Sequence, residues 1–393
     1  MPHVNLPGSV QLYYEQFPSA PSASLASLSL DSTSGSTSSA PKKPSLLLLA
    51  PSFLNSTFLA PYVDAFTGEY EVTTLEMRSN GRSRNSASPT YDYWVAAADV
   101  ACAMEALRLP PSHVFGAGCL AFQAAMKLSL LVPSLVLSLT LVGAPTLFAP
   151  PRVLGAFQEI VEGWTRPADE EDWIEVMGGV GEFLLGEKKW DDAEQDWDRV
   201  VPTVVRRYHP YRARDIWMIS APNHRNPGLT PEVLGAIQHP MLVIQGDNDL
   251  CFDHAEVEDQ LRHLTATKEL EFHKVEGGPH MLAVTHPSAV LARMGPFLAR
   301  HSPSSAPSYA PADFHSALAS ASHLASDPNI ALRNPHHPES YSFLTSEEKE
   351  AAKQAIEEMK RVEETCELSL PMCSEREDWE TPLEKDGEER RWT

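Results

Sequence analysis

Cys119 lies in the run Phe115-Gly116-Ala117-Gly118-Cys119-Leu120-Ala121, where a short apolar strand signal, Val114-Phe115, meets a helical stretch from Ala121 to Leu131. Centred on Cys119, the run reads small-x-nucleophile-x-small, with Ala117 and Ala121 in the small positions. The physical reason for such a pattern is a sharp strand-to-helix turn. It exposes the central side chain on a strained backbone, and bulky side chains two before or two after would collide. A thiol so placed can attack an acyl carbon as its thiolate. A second register takes Gly116 as the first small residue, puts Gly118 at the centre and leaves no nucleophile at all. It also sets the large Leu120 in the second small slot, which favours the Cys119 register. A buried structural cysteine is the plain alternative.

The surrounding chain alternates strand and helix signals. Val10 to Phe17 alternates like an edge strand, and Pro18 to Pro44 is rich in Ser, Pro, Ala and Thr. That composition cannot bury enough apolar surface to offset ordering, so residues 18–44 are expected to be a flexible insertion. Strands are expected at Leu46 to Ala50, Tyr70 to Leu75, Val136 to Val142, Met241 to Gln245 and Leu270 to Val275. Helices are expected at Phe58 to Phe66, Trp94 to Leu107 and Ser288 to Arg300. This order predicts a mostly parallel sheet covered on both faces. Residues 150–237 break the rhythm. They are charged, helical in character, and hold Trp164, Trp173, Trp190, Trp197 and Trp217, which predicts a helical cap over the turn at Cys119. The expected division is therefore an N-terminal strand region (1–17), the insertion (18–44), a core (45–149), the cap (150–237) and the rest of the core (238–301). A linker-like Ser/Ala/Pro-rich segment (302–344), an acidic helix (345–365) and a disordered tail (366–393) follow. Thr345 and Glu348 form a capping box for that helix, and Ala352, Ala355, Ile356, Met359 and Val362 give it a weak apolar stripe. The insertion and the last segment are expected to be dispensable for folding.

Composition narrows the function classes. The apolar share is 42%, enough for a large core, and the formal net charge of −22 argues against nucleic acid or an anionic membrane surface. Roughly half of that negative excess lies after Ser302. Five cysteines, odd in number and widely spaced, form neither a disulfide framework nor a zinc pattern. They fit a reducing compartment. There is no signal-peptide pattern at the N-terminus and no apolar run long enough to span a bilayer, so the expectation is a cytoplasmic protein without metal or cofactor.

From Leu46 to Arg300 the chain resembles the α/β-hydrolase superfamily, of the type with a helical cap. Besides the elbow, Glu76-Met77-Arg78-Ser79-Asn80-Gly81-Arg82-Ser83 is similar to the family's D-x-R-G-x-G-x-S turn, with Glu76 for its Asp and Ser79 for its first Gly. Gly246-Asp247-Asn248-Asp249 resembles the G-x-x-D that carries the triad acid, and Gly278-Pro279-His280 with Pro287 resembles the G-x-H…P that carries the triad histidine. The order nucleophile, acid, histidine agrees with this fold. The resemblance implies Cys119 as nucleophile, His280 as general base and then acid, and Asp249 as the group orienting the imidazole. Asp247 is the alternative acid; His273 and His286 are the alternative bases. It further implies an oxyanion hole from the backbone N–H of Leu120 and a donor in the loop after Leu49. That loop holds Ala50-Pro51, and proline has no N–H, so the second donor is Ser52 or Phe53. Trp164, Trp173 and Trp217 are candidate walls of an apolar pocket. The implied activity is hydrolysis of an ester, lactone or thioester of a mainly apolar small molecule through an acyl-cysteine. Acyl transfer from the same intermediate, or a non-catalytic binding protein that keeps the pocket, are the alternatives.

Overall fold

A computed structural model describes residues 2–18, 43–143, 151–186, 194–224 and 229–368. Most of the insertion expected over 18–44 and most of the tail after 366 lie outside the described residues. The strands are β1 (His3–Leu6), β2 (Val10–Phe17), β3 (Ser45–Leu49), β4 (Glu71–Leu75), β5 (Ser112–Ala117), β6 (Val136–Val142), β7 (Met241–Gly246) and β8 (Leu270–Val275). They form one eight-stranded sheet in the order β1-β2-β4-β3-β5-β6-β7-β8. The pairs β1–β2 and β2–β4 are antiparallel, and all the others are parallel. β2 is therefore not the edge: the short β1 pairs outside it, Leu6 opposite Val10.

The sequence of β3, Ser-Leu-Leu-Leu-Leu, is buried along its whole length, as a central parallel strand with helices on both faces must be. Successive side chains point to opposite faces. Leu46 and Leu48 pack with α1 (Ala60–Phe66) and α11 (Pro287–His301), through Tyr62, Phe66, Met294 and Phe297. Leu47 and Leu49 face α2 (Tyr93–Ala106) and α3 (Gly118–Leu131). Between β6 and β7 the chain inserts α4 (Pro151–Thr165), α5 (Glu170–Leu185), α6 (Glu194–Arg207), α7 (Ala213–His224) and α8 (Pro231–Leu234). Their shared apolar cluster, with Trp164, Trp173, Met177 and Leu184, reaches Phe53, Phe58 and Met281 of the loops at the strand ends. α9 (His254–Leu261) and the single turn α10 (Leu282–Thr285) complete the core.

The segment 302–344 is not a linker. It contains α12 (Phe314–Leu324), which buries Phe314, Ala317, Leu318 and Ala321 in the main core cluster. The spacing i, i+3, i+4, i+7 is an amphipathic helix stripe made mostly of small residues, so a composition rich in Ser and Ala hid it. Phe343 then stacks on Trp94 at 4.2 Å between ring centroids, and its N–H donates to Asp92 Oδ2 at 2.8 Å. α13 (Ser346–Thr365), with its capping box in place, crosses to the cap. There Glu363 pairs with Arg214 and Glu358 with Arg166. Residues 302–368 thus strap the cap to the core. Deleting everything after Ser302 should lower the melting temperature by at least about 4–8 °C, taking about 2 kcal/mol or more for the lost burial at 2–4 °C per kcal/mol. An unchanged thermal melt would show that the strap contributes nothing.

Candidate active site

Five loops leave the C-terminal ends of β3, β4, β5, β7 and β8 on one side of the sheet, where ligands of open α/β sheets bind. The loop after β5 is a direct turn into α3. Ala117 is extended, at φ −121°, and Gly118 is left-handed, at φ +70°. The strained position of the turn is therefore Gly118, and Cys119 sits one residue later, inside the helix and without a positive φ. This differs from the expectation of a strained Cys119. Glycine takes the left-handed region at no steric cost, so the turn places its unusual dihedral there. A Cβ at Gly116 would come within 2.6 Å of the Ala121 carbonyl oxygen, so close approach of β5 to α3 makes glycine obligatory at that point.

Cys119 nonetheless meets the histidine. Its Sγ is 3.6 Å from His280 Nε2, and His280 Nδ1 is 2.9 Å from Asp249 Oδ2. The three side chains come from the ends of β5, β8 and β7, and all are buried, Cys119 at 5% exposure and His280 at 2%. Asp249 is held by four hydrogen bonds. Oδ2 also accepts from Gln245 Nε2 at 3.0 Å, and Oδ1 accepts from the N–H groups of Cys251 and Phe252 at 3.0 and 3.1 Å. Its orientation, and with it the imidazole's, is fixed from the backbone upward. The alternatives lie elsewhere. Asp247 accepts from the Gly277 N–H and pairs with Lys274, His273 contacts Glu271, and His286 contacts Thr285 Oγ1.

Burial opposes a charge on His280, but the Asp249 carboxylate and then the Cys119 sulfur outweigh it, and the imidazole pKa is pushed up to about 10. The arrangement therefore favours an imidazolium through neutral pH, beside a sulfur at the start of a helix whose N-terminus also favours negative charge.

Two of the sequence-predicted oxyanion donors stand differently from the third. Leu120 lies in the first turn of α3, whose N-cap, Ala117, brings no capping side chain to compete for its N–H groups. Ser52 is buried beside the turn-forming Pro51. The Phe53 N–H is engaged elsewhere: it donates to the buried Asn80 Oδ1 at 2.7 Å, and Phe53 has a φ of +64°. Asn80 belongs to the turn from Glu76 to Ser83, and this use of its side chain is not readable from the motif. The same turn explains why glycine suits two of its positions, since Ser79 and Gly81 have φ of +60° and +51°.

The candidate tryptophans separate as well. Trp164 donates from its indole N–H to the Tyr208 carbonyl and packs on Phe53 at 4.9 Å. Trp173 lies against His209, within the cap. Trp217 belongs to the apolar cluster that includes Cys119. The rings that touch the imidazole are phenylalanines that sequence reasoning missed: Phe183 at 5.1 Å and Phe252 at 5.4 Å, joined through Phe157 at 5.0 and 6.5 Å. Phe252 could have been found from its place three residues after Asp249. Phe157 and Phe183 are on cap helices and carry no local signal. The end of α5 is also bonded to the histidine loop, the Met281 N–H donating to the Leu184 carbonyl at 2.8 Å.

Among the described residues no group of three or more His, Cys, Asp or Glu side chains is placed to hold a metal ion, and no helix is long and apolar enough to cross a membrane. No curated protein matches the sequence. Solved structures do. Est816, described as an N-acyl homoserine lactone degrading enzyme, is 18% identical with a TM-score of 0.54, covering 75% of this chain and 100% of that one. The enol-lactonase from Burkholderia xenovorans LB400 is 17% identical with a TM-score of 0.57, covering 76% and 100%. A carboxylesterase from the thaumarchaeon Nitrososphaera gargenis is 16% identical with a TM-score of 0.59, covering 76% and 98%. At these identities the likeness is one of fold. The sequence profile of the alpha/beta hydrolase fold matches residues 46–287, more than half of the chain. With its sheet order, the direct turn after β5 and the inserted helices, the chain belongs to the α/β-hydrolase fold family.

Proposed function

We propose that the protein is a cysteine-dependent hydrolase that cleaves an ester, lactone or thioester of a mainly apolar small molecule. The observation that carries this reading is the continuous chain Cys119 Sγ, His280, Asp249, with steps of 3.6 and 2.9 Å. The Cys119 thiolate adds to the acyl carbon, and the carbonyl oxygen takes the charge beside the N–H of Leu120 and of Ser52. The intermediate collapses as His280 gives its proton to the departing oxygen or sulfur, leaving a thioester on Cys119. His280, now neutral, takes a proton from water. The water oxygen attacks the thioester carbon, the sulfur leaves with the C–S electrons, and the acid is released. The rings of Phe183 and Phe252 against the His280 imidazole, with Phe157 between them, support an apolar acyl group or ring. A working thiolate also fits a reducing compartment such as the cytoplasm.

The test is intact mass after incubation with activated esters and lactones. The expected result is a mass increase equal to the acyl group, mapped to the peptide that holds Cys119. An absence of adduct across the panel, or an adduct only at another cysteine, would reject the reading.

A second reading has a specific observation behind it. The strained turn position is a glycine and the oxyanion loop carries Pro51, the features of a protein that keeps the pocket and binds without turnover. Saturable binding of an apolar lactone with no adduct and no product would select it.

A further inference from the structure

The end of α5 touches both loops that carry the triad partners of Cys119. The helix stops at Leu185, and the carbonyls of its last turn lack partners inside the helix. The Leu184 carbonyl finds one in the N–H of Met281, the residue after the histidine, at 2.8 Å. Phe183, one position earlier, lays its ring against the His280 imidazole at 5.1 Å, with 32° between the planes. Gly186 then leaves the helix at φ +75° and ψ −178°, a region open in practice to glycine alone. A Cβ there would come within 2.8 Å of Asn248 Nδ2 and 3.4 Å of Pro279 Cβ. Asn248 precedes Asp249, and Pro279 precedes His280. The two loops meet at that point, the Asn248 N–H donating to the Gly278 carbonyl at 3.0 Å.

The turn after His280 is shared between cap and core. Met281 and Val284 pack in the cap's apolar cluster, while Leu282 and Ala283 pack against the sheet. Arg199 of α6 donates to the Val284 carbonyl at 3.1 Å, and Tyr62 of α1 to the Ala283 carbonyl at 2.8 Å. Asp249 bonds one imidazole nitrogen, which leaves the ring free to tilt about that bond unless something packs on its face. Resting on the acyl-cysteine reading above, we infer that the end of α5 positions the triad histidine, Phe183 and the Leu184 carbonyl holding the His280 imidazole in line with Cys119. Phe183 is then a positioning residue for the chemistry as well as a neighbour of the acyl group. The contact it governs, 3.6 Å from Nε2 to Sγ, has little slack, and a displacement of about 1 Å costs about a hundredfold in rate.

Phe183→Ala separates the two roles. The substrates are p-nitrophenyl acetate and p-nitrophenyl octanoate. A ring that only lines the acyl pocket matters more for the longer chain, because an acetyl group buries little surface. A ring that positions His280 matters equally for both. The expected result is a fall in kcat of about ten- to a hundredfold on both esters. The curve of iodoacetamide alkylation of Cys119 against pH should shift in the same direction as in His280→Ala. A loss confined to the octanoate, with a wild-type alkylation curve, would overturn the inference. Amide hydrogen exchange of the wild type supplies a second measurement that needs no variant. The Met281 N–H should be no better protected than the last turn of α5, whose carbonyl it uses. A Met281 amide that stays protected while the end of α5 exchanges freely would also overturn it. Absence of turnover and of any adduct in the wild type would reject the hydrolase reading itself, and the alkylation and exchange data would still decide the role of α5.

Discussion

Cys119→Ala should abolish the acyl adduct and lower turnover by about a thousandfold or more, the scale seen when a nucleophile that works as a unit with its base is removed. The fold should be untouched, since the side chain contributes little volume and the helix begins at Gly118 whatever follows it. Cys119→Ser should recover little. A hydroxyl is a far weaker acid than a thiol, and at this place it lies one residue past the strained position of the turn, at the end of a contact of 3.6 Å that suits sulfur better than oxygen. The measurement is kcat/KM on an activated ester, with circular dichroism as the control. Alanine activity within a few-fold of wild type would show that the sulfur is a bystander to His280.

The largest stability effect is expected at Asp99, on α2. Arg78 Nε and the guanidinium nitrogen beside it donate to the two Asp99 oxygens at 2.6 and 2.7 Å, and the pair is essentially solvent-free. Burial opposes the Arg78 charge, and Asp99 holds it in place, with Glu339 of the C-terminal strap at 3.3 Å adding a weaker pull. Asp99→Ala leaves a buried guanidinium without its main partner, which costs about 3–5 kcal/mol. At 2–4 °C per kcal/mol this is a fall of about 10 °C in melting temperature. Asp99→Asn, which keeps an acceptor but not the charge, should fall between. A change within about 0.5 kcal/mol for the alanine variant would mean that water or Glu339 satisfies Arg78 unaided.

What could be read from the sequence was what is encoded locally. The apolar runs of β3, β6 and β7 show their burial directly, because a strand covered on both faces has no reason to alternate. The capping box at Thr345 and Glu348 fixes the start of α13 in either description. Cys119, Asp249 and His280 are far apart in the chain, and the resemblance to the family brought them together on three short patterns. The misses are nonlocal or subtle. β1 is only His3–Leu6, too short to show a period. α12 hides its stripe behind alanines. The strained residue of the turn could not be told apart from its neighbour, since Gly118 and Cys119 both satisfy part of the pattern. Phe53 lost its expected role to a side chain, Asn80, that approaches from a different loop. Phe183 touches His280 only because the end of α5 is bonded to the loop at Met281, a contact between positions about a hundred residues apart that no local pattern records.

The central claim is that His280 activates Cys119, and the pH dependence of alkylation tests it most directly. With its pKa pushed up to about 10, His280 carries its proton through neutrality, and that charge lies 3.6 Å from the sulfur. Below about pH 10 His280 holds its proton, and as pH rises through that value the proton is lost, so acylation, which needs it for the leaving group, should decline there. The iodoacetamide rate at Cys119 should therefore be high already at neutral pH in the wild type, and His280→Ala should move its rise to higher pH. Superimposable curves for the two proteins, both rising near the free-thiol value of about 8.5, would contradict the account.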